Sequence, residues 1–61
     1  MSTDYIPFEE AVARARRANL TENQLLREVS QDKIEAARDA RGRILLLERD
    51  VEDFIKSQRT D

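Results

Sequence analysis

The chain has 61 residues, 39% of them apolar and 39% charged, with a net charge of −2, which describes one small domain with a thin core and excludes a multi-domain reading. It contains no Cys and no His, so disulfides, thiolate or imidazole metal sites and the usual nucleophile and base pairs are absent, and most enzyme chemistry goes with them. No apolar run approaches the roughly 18 residues of a membrane span, and no stretch has the layout of a signal peptide. A cytoplasmic, non-enzymatic protein that needs neither cofactor nor membrane is the expectation.

The charge is unevenly placed. Residues 1–13 carry three acids and no bases, residues 14–43 carry eight bases against five acids, and residues 44–61 carry three bases against five acids. The centre of the chain is therefore basic inside an acidic protein, although solvated helix faces alone account for such blocks.

In chain order, Pro7 suits the first turn of a helix, followed by Glu9 and Glu10 where the positive helix end favours acids. Phe8, Ala11, Val12 and Ala15 then recur at helical spacing and predict a helix from about Phe8 to Arg17, with Arg14, Arg16 and Arg17 mostly outside. Asn19 tolerates a left-handed backbone and can close it. Thr21 with Gln24 is a capping box that starts a second short helix. Leu25, Leu26 and Val29 are expected inward on that helix, with Glu22, Asn23 and Arg27 outward. Two short helices around a tight bend make a helix-turn-helix pattern, a weak signal by itself.

From Lys33 onward two readings stand. One is a long helix in which Ile44, Leu47, Val51 and Phe54 form a coiled-coil seam of an all-helical homodimer. The other is a strand from about Lys33 to Arg38, a loop from Asp39 to Gly42, a strand from about Arg43 to Leu46, and a last helix from about Glu48 to Ser57. Gly42 would cost a long helix about 1 kcal/mol.

Certain residues, taken in order, carry a resemblance. Asn19-Leu20-Thr21 stands at the turn; Leu25, Leu26, Arg27 and Val29 follow on the second helix; Lys33-Ile34 leads into Ala36-Ala37-Arg38; Gly42-Arg43-Ile44 marks a second turn; and Asp50-Val51-Glu52-Asp53-Phe54-Ile55 closes. This order resembles the small winged helix-turn-helix domains of the excisionase and MerR-like DNA-binding families. The sequence departs from that pattern in a longer first helix, a longer wing loop, and Asn19 and Asp32 in place of two glycines.

The resemblance implies an α+β winged helix-turn-helix fold over residues 1–61: two helices, a two-stranded β-hairpin wing and a closing helix, with residues 1–5 and 58–61 frayed. It implies double-stranded DNA as partner, for transcription regulation or for directing site-specific recombination. Asn23 and Gln24 would then offer paired donor and acceptor to adenine, and Arg27 a fork for guanine or phosphate. Glu22 and Glu28 would repel phosphates, unless Glu22 accepts from a cytosine amino group. Arg38, Arg41 and Arg43, with Lys33 at the base of the wing, would meet phosphates or a narrow minor groove. A module of this size covers only roughly 600 to 1,000 Å² of protein surface on DNA, so dimeric or cooperative assembly is expected. An apolar outward face on the hairpin would instead favour a protein partner, as in a small phage or plasmid regulator or a packaging subunit.

Overall fold

The computed structural model describes residues 4–58. Its elements run β1 (Tyr5–Pro7), α1 (Phe8–Arg17), α2 (Glu22–Ser30), β2 (Ala36–Arg38), β3 (Ile44–Leu47) and α3 (Glu48–Gln58). The strands form one antiparallel sheet in the order β1-β3-β2. No helix among the described residues is long and apolar enough to cross a membrane.

The two tight helix ends are built alike. Beyond α1, Asn19 has φ 63°; its N–H donates to Arg16 O at 3.0 Å, and the N–H of Leu20 donates to Ala15 O at 2.9 Å. Beyond α2, Asp32 has φ 60°, with its N–H on Val29 O and that of Lys33 on Glu28 O, both at 3.0 Å. In each case one left-handed residue turns the chain and returns two N–H groups to otherwise orphaned carbonyls. Asn and Asp are the residues that best accept this conformation after Gly, so both substitutions for glycine noted in the sequence fall on turns that need them.

The start of α2 is the expected capping box. The N–H of Gln24 donates to Thr21 Oγ1 at 3.2 Å and the N–H of Thr21 donates to Gln24 Oε1 at 2.8 Å. The segment after Lys33 turns back on itself instead of continuing as a helix: Gly42 has φ 81° with open space around it, and β2 and β3 pair across it with Arg38 opposite Ile44 and Ala36 opposite Leu46. This excludes the long helix and the coiled-coil homodimer, because a left-handed backbone at Gly42 cannot belong to a right-handed helix.

The sheet also has a strand the sequence reading missed. Tyr5, Ile6 and Pro7 pair with Leu47, Leu46 and Leu45, which makes the sheet three-stranded rather than two. Pro7 is therefore the last residue of an edge strand and the N-cap of α1, not a residue of the helix's first turn. Its fixed φ suits extended backbone, and an edge strand can do without one N–H. Of the ends expected to fray, Tyr5 lies in β1 and Gln58 ends α3, whereas residues 1–3 and 59–61 lie outside the described residues.

The core draws on every helix and on β1 and β3. Leu25, Ile34, Leu46 and Val51 are fully enclosed, with Ile6, Val12, Phe54 and Ile55 around them. Leu26, expected inward, is instead 42% exposed, and Ile44 is 41% exposed. Successive helical residues lie about 100° apart, so once Leu25 faces the core Leu26 is turned away from it. Ile44 shares the core-facing side of β3 with Leu46 but lies two residues farther along the hairpin, beyond the reach of the core.

Candidate nucleic-acid interface

Asn23, Leu26, Arg27 and Ser30 lie at positions i, i+3, i+4 and i+7 of α2, a spacing that puts them on one face. All of them are exposed. By the same helical geometry Glu22 and Glu28 fall to either side of this stripe, so no acid interrupts it. Gln24 lies beside the stripe, and its side-chain carbonyl is spent on the helix start, where it accepts from Thr21 N–H. Only its amide N–H groups remain to be offered, and the bidentate pairing that suits adenine is left to Asn23.

The hairpin loop is organised by Asp39. Its Oδ1 accepts from the main-chain N–H groups of Arg41 and Arg43, both at 2.9 Å, while its carbonyl accepts from Gly42 N–H at 3.0 Å. A carboxylate bound by two N–H groups is the local turn for which Asp is selected. The loop thus holds Arg41 and Arg43 exposed on either side of Gly42, with Arg38 exposed on β2 and Lys33 just before the hairpin. Among the described residues, Arg27, Lys33, Arg38, Arg41 and Arg43 take part in no salt bridge.

Arg14 is placed quite differently. Its guanidinium lies 3.2 Å from Glu10, 2.9 Å from Glu48 and 2.8 Å from Glu52, and those three carboxylates raise its pKa above the ordinary guanidinium value. It binds α1 to α3 and is not presented as a phosphate ligand. Other acids are also engaged: Asp50 accepts from Glu35 N–H at 2.9 Å, and Glu35 accepts from the Tyr5 hydroxyl. Several carboxylates of the acidic segments therefore fasten α1, α3 and the sheet, while the cations of α2 and the hairpin form no salt bridge among the described residues.

Between α2 and the hairpin lies an open groove of about 270 Å³ lined by Val29, Ala36, Ala37, Arg38 and Ile44. Arg38 and Ile44 are directly opposite in the ladder and so project from the same face of the hairpin. On the other face of the sheet, strand alternation places Tyr5, Pro7, Ala37, Leu45 and Leu47, an apolar set in which Tyr5 and Pro7 are exposed and the others half-buried.

The structure leaves Asn23, Arg27, Lys33, Arg38, Arg41 and Arg43 exposed, and two features escaped sequence reasoning: the outward position of Leu26 and the capture of Arg14. Asp39, which with Gly42 brackets the loop expected from the sequence, also organises it through its carboxylate. No protein-family model, no curated protein and no solved structure matches this chain.

Proposed function

We propose that the chain is a winged helix-turn-helix protein that binds double-stranded DNA in a sequence-specific manner, as a transcriptional regulator or an excisionase-like recombination directionality factor. In this reading α2 is the recognition helix and the β2–β3 hairpin is the wing. The observation that carries it is the acid-free outward stripe of α2 next to a hairpin whose arginines form no ion pair among the described residues. Asn23 and Arg27 read base edges, and Arg38, Arg41, Arg43 and Lys33 contact phosphates or a narrow minor groove. Assembly of two or more copies on DNA offsets the small footprint of each.

The test is a mobility-shift titration against a pool of random-sequence duplexes at low salt. A shift that weakens steeply with added salt, and that weakens also on replacing Arg27 or the hairpin arginines, is expected. Absence of any shift with those residues intact sinks the reading.

A second reading has its own support in the apolar outer face of the sheet, formed by Tyr5, Pro7, Ala37, Leu45 and Leu47. An exposed apolar surface of this kind suits a protein partner. A partner captured equally well by the chain with Arg38, Arg41 and Arg43 all replaced by alanine, together with no DNA shift, favours this reading over the first.

A further inference from the structure

Among the described residues few large apolar side chains face solvent, and one of them lies on the core-side edge of the proposed reading surface. Leu26 is 42% exposed. On α2 its neighbours one turn away are Asn23 and Ser30 on the solvent side and Glu22 and the half-buried Val29 on the core side. Its exposed part is thus a single apolar group bordered on the solvent side by an amide and a hydroxyl. It is well suited to the major groove, where one apolar group, the 5-methyl of thymine, lies among hydrogen-bonding base edges.

We propose that Leu26 is a base-reading residue that packs against the methyl group of a thymine in the major groove, so that the bound site carries thymine next to the base pair read by Asn23. The inference rests on the DNA-binding reading. The spacing agrees with it: three residues of helix advance about 4.5 Å, and successive base pairs are about 3.4 Å apart, so Asn23 and Leu26 address neighbouring pairs. Arg27, one residue on, supplies the charged contact that keeps the helix in the groove while Leu26 excludes water from the methyl. The contact selects thymine over cytosine, which has no methyl at that position and presents an amino donor instead.

The experiment uses the full chain and a duplex selected by it from a random-sequence pool, resynthesised with each thymine in turn replaced by uracil, which removes only the methyl. Dissociation constants are measured by fluorescence anisotropy. One uracil position weakens binding of the wild-type chain about fourfold, the effect of one buried methyl, and the Leu26→Ala variant shows no thymine–uracil difference there. Circular dichroism melts of Leu26→Ala are unchanged within a few degrees, because the side chain lies outside the core. Equal binding of thymine and uracil duplexes by the wild type, or a uracil effect that persists in Leu26→Ala, overturns the inference. If in that case Arg27→Ala still weakens binding, the DNA-binding reading stands without it; if the chain selects no duplex at low salt, both fall.

Discussion

Asp39 and Arg43 hold each other twice across the hairpin loop. The main-chain N–H of Asp39 donates to the carbonyl of Arg43 at 3.1 Å, and the N–H of Arg43 donates to the Asp39 carboxylate at 2.9 Å. An acid amid arginines looks unfavourable for an anionic ligand, but this one is bound to backbone N–H groups and fixes the loop that carries the arginines.

That relationship separates geometry from charge. Asp39→Ala is expected to destabilise the protein by about 1–2 kcal/mol, the loss of two hydrogen bonds to a charged acceptor at a partly exposed site. It should also weaken DNA binding, although removing a negative charge alone predicts the reverse. Asp39→Asn keeps the acceptor oxygen and drops the charge, so it should hold both stability and affinity. Urea titrations and mobility shifts on the two variants check this.

Gly42 gives a second test of the same loop. Its φ of 81° is strained for any residue with a Cβ even though no atom lies within 4 Å of the Cβ position. Gly42→Ala should cost about 1 kcal/mol, and Gly42→Asn less, because Asn tolerates the left-handed region. Equal melting temperatures for Gly42→Ala and the wild type would contradict the left-handed turn.

At Arg14 the expected effect is on stability and not on binding. Arg14→Met retains the aliphatic stem but leaves Glu10, Glu48 and Glu52 facing one another, at a cost of about 1 kcal/mol given how exposed these carboxylates are. The further change Glu52→Gln should recover part of that loss. DNA affinity per folded molecule should stay as in the wild type; a loss of affinity with unchanged stability would make Arg14 a phosphate ligand after all.

Tyr5 gives a prediction in alkali. Its hydroxyl donates to the Glu35 carboxylate, and that bond, followed by desolvation and the negative charges of Glu35 and Asp50, raises its pKa above the ordinary value, which is about 10. The neutral phenol is thus favoured in the folded state. The stabilisation is fully present below pH 10 and is lost as pH rises through the folded-state pKa. Tyr5→Phe should be less stable than the wild type at pH 7, with the gap closing above pH 10, as followed by thermal melts between pH 7 and 11.

What the sequence made legible was local. The capping box of Thr21 and Gln24, the left-handed Asn19 and the glycine turn at Gly42 each depend on side chains acting on backbone within a few residues, and each was readable. The missed features depend on distance along the chain. Nothing near Tyr5–Pro7 signals that its partner is Leu45–Leu47, and nothing near Arg14 reveals that Glu52, 38 residues on, faces it. Leu26 misled for another reason. With Leu25 beside it both looked like core residues, yet the two sit about 100° apart on a helix and a thin core has room for only one of them.

The pairing of Ile6 with Leu46 also has a bearing on how the chain is made. β1 is synthesised before every other element described, but it has no ladder partner until β3 exists, and the core around Ile6 is closed by Val51, Phe54 and Ile55 of α3. Helices α1 and α2 emerge earlier without that cover. Folding of this unit therefore waits until α3 has been made, and a nascent chain stalled before α3 would leave its apolar faces open to chaperones and proteases.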